Sequence, residues 1–122
     1  MPHTAYMTFK AITVQETNTF TRQAAALLSD EERAEVIDFL AYNPEAGSLI
    51  RGTGGIRKVR YGAKGKGKSG GVRVIYYYHS DLMPLYALMV YAKNEQEELT
   101  AEDRKELAAF VTALKERWKA RR

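Results

Sequence analysis

Lys58 and Arg60 stand two residues apart in Ile56–Tyr61, a run whose β-branched and aromatic content reads as a strand, so both side chains fall on one face. Arg73 shares a face with Ile75 and Tyr77 in a second such run, Val72–His79. If the two strands pair across Gly62–Gly71, three cations meet on one sheet surface. Such a cluster has a use in cutting RNA, where a 2′-hydroxyl attacks the adjacent phosphate. The site must then stabilise extra negative charge on the phosphoryl oxygens, favour loss of the hydroxyl proton and protonate the leaving oxygen. Arginine suits the first task through its permanently charged planar fork, and a lysine crowded by cations can have its pKa lowered enough to act as the base for the second. A plain binding patch would use the same residues, and spacing alone does not separate the two.

The distribution of charge favours a polyanionic partner. Arg51, Arg57, Lys58, Arg60, Lys64, Lys66, Lys68 and Arg73 all lie between Ala46 and Ser80, a segment without Asp or Glu, whereas the whole chain carries only +4. Tyr61, Tyr76, Tyr77 and Tyr78 are interleaved with these charges, as stacking on bases would use. Gly62-Ala63-Lys64-Gly65-Lys66-Gly67-Lys68-Ser69 matches the G-x-x-x-x-G-K-[ST] pattern of a nucleotide-binding loop. That loop needs a following helix to hold phosphates, and the residues that follow read as a strand. Three lysines in five positions instead suit the backbone of a nucleic acid or a soluble hairpin loop. His3 and His79 are too differently placed to act as a pair. Glu95, Glu97 and Glu98 read as a solvated acidic turn, so no metal or other cofactor is expected.

The elements that would position these residues form one α+β domain over residues 1–122, with residues 1–8 as a flexible N-terminus. Phe9–Val14 alternates like a strand. Asn18–Leu28 has helical spacing at Phe20, Ala24 and Leu27/Leu28. Ser29-Asp30-Glu31-Glu32 supplies a capping box for a second helix, which Asn43-Pro44 stops, and the two helices are expected to form an antiparallel hairpin. Three turn-linked strands, Ile56–Tyr61, Val72–His79 and Leu85–Lys93, should make an antiparallel meander. A last helix starts near Thr100 with Asp103 as capping partner, its apolar stripe being Leu107, Phe110, Val111, Leu114 and Trp118. The order is β-α-α-β-β-β-α. Cysteine is absent, and no stretch has the apolar length of a signal peptide or a membrane span, so a cytoplasmic protein without membrane contact is expected.

Gly52-Thr53-Gly54-Gly55-Ile56-Arg57-Lys58-Val59-Arg60, then Lys64 to Tyr78, then Tyr91-Ala92-Lys93-Asn94-Glu95, resembles the HigB branch of the RelE/ParE toxin superfamily. The resemblance runs from about Phe9 to the last helix. It implies a compact, RelE-like fold of the microbial-RNase type and the role of toxin in a type II toxin–antitoxin pair. It further implies a metal-independent endoribonuclease that cuts mRNA in the A site of the 70S ribosome and is neutralised by a cognate antitoxin, a helix-turn-helix protein of the HigA kind. By position, Arg73 matches the family arginine at the scissile phosphate, Lys58 and Arg60 match the basic pair of the preceding strand, and Lys93 matches a basic position at the end of the last strand. Arg57, Lys64, Lys66, Lys68, Tyr77 and Asn94 are the expected RNA- or ribosome-binding residues. Asn94 and Thr100 stand where RelE itself often has arginine and tyrosine, so the resemblance names no general acid or base. A ParE-like gyrase inhibitor on the same fold and a non-catalytic RNA-binding module are the alternatives.

Overall fold

The runs rich in Val, Ile and Tyr become the middle of a five-stranded sheet, because such side chains fill a pleated surface covered on both faces. The computed structural model describes residues 11–62, 71–95 and 98–120. They form β1 (Val14–Glu16), α1 (Asn18–Leu27), α2 (Asp30–Tyr42), β2 (Ser48–Leu49), β3 (Ile56–Tyr61), β4 (Val72–Tyr77), β5 (Leu85–Ala92) and α3 (Ala101–Ala120). The sheet order is β1-β5-β4-β3-β2. The expected meander is present, with β3, β4 and β5 paired antiparallel.

Two features of the sheet differ from the sequence expectation. The first strand is not Phe9–Val14: among described residues Ala11–Thr13 lie outside it, and it runs from Val14 to Glu16. Ile12 donates its N–H to the Ala41 carbonyl at the end of α2 (3.0 Å), so its alternation with Val14 reflects packing on the core, not pairing. Phe9 and Lys10 lie outside the described residues. β1 also runs parallel to β5, which makes the sheet mixed. The second difference is β2, two residues paired with Arg57 and Lys58, too short to produce a periodic signal.

Helix boundaries follow the capping chemistry. Thr17 caps α1 by accepting from the Phe20 N–H (3.2 Å). Ser29 and Glu32 form the reciprocal box of α2, at 3.1 and 2.9 Å, and Asn43 before Pro44 ends that helix. Thr100 Oγ1 accepts from the Asp103 N–H (3.0 Å) at the start of α3. On one sheet face Phe20, Ala24, Val36 and Leu40 pack against Val72, Val74, Tyr76, Leu85 and Val90. On the other, Val111 and Leu114 of α3 pack against Ile56, Ile75, Tyr77 and Leu88. Among the described residues no helix is long and apolar enough to cross a membrane.

The β4–β5 register changes between Ile75, opposite Met89, and Tyr76, opposite Ala87, leaving Leu88 as an extra residue. α1 satisfies the backbone groups this bulge disturbs: Gln23 Oε1 accepts from the Val90 N–H (2.9 Å), and Thr17 Oγ1 donates to the Ala87 carbonyl (3.0 Å). The Gly52–Gly55 run is the turn that launches β3. Gly54 and Gly55 have φ of 79° and 120°, and Thr53, fully buried, donates to the Ile50 carbonyl (2.7 Å) and accepts from the Ile56 N–H (3.1 Å).

Candidate functional site

On the α3 face of the sheet, register arranges side chains in rows that cross three strands. Ile56, Tyr77 and Tyr86 form an apolar row, and Lys58, Ile75 and Met89 form the next. The third is Arg60, Arg73 and Tyr91, with Arg60 directly opposite Arg73 and Arg73 directly opposite Tyr91. The sheet thus passes from core to cation within two rows. α3 covers the apolar end, while Arg60 is exposed and Lys58 and Arg73 are half-buried. No carboxylate among the described residues forms an ion pair with Lys58, Arg60 or Arg73. Two arginines at directly opposed sheet positions make a locally positive surface, to which a phosphate is a complementary group.

Arg73 is the most constrained of the three. It lies on the central strand, and its Nε is buried without a hydrogen-bond partner among the described residues. The hydroxyl of Tyr91, a residue 7% exposed, is in the same condition. Burial pushes the Tyr91 phenol up from its ordinary value, the Arg73 charge partly opposes this, and the Glu98 and Asp103 carboxylates add to the rise. At the end of β5 the chain turns through Lys93 and Asn94. The Lys93 N–H donates to the Gly71 carbonyl (3.0 Å), tying this turn to the residue before β4. Lys93 therefore sits at the border of the Arg60–Arg73–Tyr91 row, with Asn94 exposed beside it.

Other residues expected from the sequence stand elsewhere. Arg57 points to the opposite face, where its guanidinium donates to the Gly47 and Glu45 carbonyls (2.7 and 3.2 Å) and holds the α2–β2 connection. Tyr77 is 1% exposed in the α3-side core. The other tyrosines read as base-stacking groups are also engaged. Tyr61 donates to Glu35 on α2, Tyr76 is buried and its hydroxyl accepts from the Gly47 N–H (2.8 Å), and Tyr78 donates to Asp81 (2.8 Å). Their density in the sequence reflects the two-sided core. Lys64, Lys66 and Lys68 lie outside the described residues, as does His3; the next element is the strand β4 from Val72, so no helix stands after the G-x-x-x-x-G-K-S match among the described residues. His79, beyond the end of β4, stacks on Tyr77 (6.3 Å between centroids), whose row is two away from that of Arg73.

In the Arg60–Arg73 row, Tyr91 is the member whose facing period-two counting misses. Counted from Leu85, it shares the phase of Ala87 and would face α1 and α2. The extra residue at Leu88 reverses the phase and turns Tyr91 toward Arg73. Among the described residues no group of three or more His, Asp or Glu side chains could hold a metal ion.

Comparison with known proteins adds two findings. Residues 12–120 match the family model described as the RelE toxin of the RelE/RelB toxin–antitoxin system. Among solved structures, a double mutant of the E. coli toxin RelE in the free state is similar in fold, with a TM-score of 0.52 and 16% sequence identity over 71% of this chain and 88% of that one.

Proposed function

The chain belongs to the RelE toxin family of toxin–antitoxin systems, and on that premise we propose that it is an endoribonuclease of the HigB kind that cuts translated mRNA in the ribosomal A site. The observation that carries this reading is the row in which Arg60 and Arg73 face one another with no protein carboxylate paired to either among the described residues. In the proposed reaction the 2′-oxygen attacks the adjacent phosphorus as it loses its proton, the bond from phosphorus to the 5′-oxygen breaks, and that oxygen gains a proton. The products are a 2′,3′-cyclic phosphate and a 5′-hydroxyl. Negative charge grows on the non-bridging oxygens, where Arg73, held by its strand, stabilises it; Arg60 adds a second fork, and Lys58 and Lys93 extend the positive surface to either side.

Lys64, Lys66, Lys68 and Asn94 are assigned to contacts with the phosphate backbone of ribosomal or messenger RNA, whereas Arg57 and Tyr77, engaged in the fold, are left out. The proposed partners are the 70S ribosome and a HigA-like helix-turn-helix antitoxin, in the cytoplasm.

Mapping mRNA 5′ ends after brief induction tests the reading. Cuts within translated codons are expected, and Arg73→Ala should lower them by about 10²–10³-fold, the loss typical of a transition-state donor, with the fold retained. Undiminished cutting by that variant removes Arg73 from the chemistry. DNA damage with unaltered mRNA ends would make the protein a gyrase poison, and tight salt-sensitive RNA binding without cuts a binding module.

A further inference from the structure

At the end of the sheet away from Arg60 and Arg73, the turn between β4 and β5 and the last turns of α3 enclose a cleft of about 490 Å³. Leu82 and Met83 stand on one wall, and Lys115, Trp118 and Lys119, three and four residues apart on α3, on the other. Hydrogen bonds fix both walls. Ser80 accepts from the Leu82 N–H at its hydroxyl (3.2 Å) and from the Met83 N–H at its carbonyl (3.4 Å). Across the cleft, Trp118 Nε1 donates to the Tyr86 hydroxyl (3.2 Å) and Lys115 Nζ to the Gly54 carbonyl (3.3 Å). The shape is therefore set before any partner arrives.

Two features of the cleft call for a partner of mixed character. Leu82 is 78% exposed, more than any other large apolar side chain among the described residues, and the polar bonds of the turn hold it in that position. A solitary exposed leucine is ordinary, but this one borders a preformed cleft walled by a tryptophan. The second feature is charge. Asp81, the one carboxylate of the turn, accepts from the Tyr78 hydroxyl (2.8 Å), and no described carboxylate forms an ion pair with Lys115 or Lys119. Cations near the end of α3 also suit its dipole, so alone they would mark nothing. An apolar side chain flanked by carboxylates answers both features at once, whereas a phosphate chain would use the lysines and leave Leu82 idle. The chain's own residues before Ala11 hold no Asp or Glu and do not match the cleft in charge.

We propose that this cleft docks an acidic amphipathic segment of the antitoxin, its apolar side chain entering between Leu82 and Trp118 and its carboxylates meeting Lys115 and Lys119. This rests on the antitoxin partnership assigned above. Tyr77, the strand residue nearest the cleft, is four residues from Arg73, about 13 Å along β4 at about 3.3 Å per residue, so this contact holds the toxin without touching the Arg60–Arg73 row.

Leu82→Asp and Lys119→Glu test it, with the antitoxin encoded in the same operon as the probe and no RNA present. Both positions are exposed, so the thermal midpoint and the cutting of ribosome-bound mRNA by the free toxin should match the wild type. Leu82→Asp should raise the dissociation constant of the complex at least about tenfold, through loss of one buried leucine. Lys119→Glu should slow association severalfold in low salt and far less at about 0.5 M NaCl. Wild-type affinity in both variants overturns the proposal. Impaired cutting with affinity intact also overturns it and makes the cleft an RNA contact; loss of self-association with affinity intact overturns it in favour of a second copy of this chain. If the wild type binds antitoxin but cuts no translated mRNA, the endoribonuclease reading fails, and the two affinities still decide the docking site.

Discussion

Replacing Arg60 by glutamine should stabilise the protein while impairing it. Arg60 and Arg73 are direct partners across β3 and β4, and no described carboxylate is paired with either. Backbones at such a position are about 5 Å apart, and exposed Arg60 can lean outward, so a charge separation of about 7 Å is reasonable. In a dielectric of about 80 the repulsion is then about 0.6 kcal/mol. With a urea dependence of about 1–3 kcal/mol per molar, Arg60→Gln should raise the unfolding midpoint by about 0.2–0.6 M in low salt. At 0.5 M NaCl the screening length is about 4 Å and most of that gain should disappear. Cleavage on ribosomes should fall by about tenfold or more, as one charge-stabilising fork is lost. A variant less stable than wild type at low salt, or a gain indifferent to salt, would show that the two guanidinium groups do not burden each other. A more stable variant with full activity would place Arg60 outside the reaction.

Ser29→Ala opens the capping box of α2 and should lower stability by about 1 kcal/mol in urea titration, with cutting per folded molecule unchanged. Tyr61 donates to Glu35 and its phenol is raised to about 12, above its ordinary value near 10. Its stabilising contribution is complete below pH 10 and is lost as pH climbs toward 12, so the urea midpoint should decline through that window more steeply in wild type than in Tyr61→Phe. Gly55 has φ of 120°, and a Cβ there would stand 3.2 Å from the Tyr77 ring. Gly55→Ala should therefore destabilise by about 1–3 kcal/mol, measured by thermal unfolding.

Much of this arrangement was legible because it is local. The Ser29/Glu32 and Thr100/Asp103 pairs announce their helices, Asn43-Pro44 announces an end, and Lys58, Arg60 and Arg73 share a face once two adjacent strands pair. What was not legible depends on contacts far apart in the chain. The tyrosines at 76 and 77 look like an RNA-facing series until both faces of β4 are seen to be covered, and Arg57 looks like part of the cationic cluster until Gly47 and Glu45 approach it. β1 pairs with a strand some 70 residues away, and no local pattern reports a parallel partner.

Because one additional amino acid at Leu88 divides β5, the strand has two halves that answer to different demands. Upstream of it, Leu85 and Ala87 interlock with α1; downstream, Tyr91 is turned to the face that carries Arg73. Substitutions that refit the helices can therefore accumulate in the first half without rotating the second, provided Gln23 and Thr17 keep hold of the kink. Excising Leu88 would join the halves into one regular strand and carry Tyr91 to the face that α1 and α2 cover.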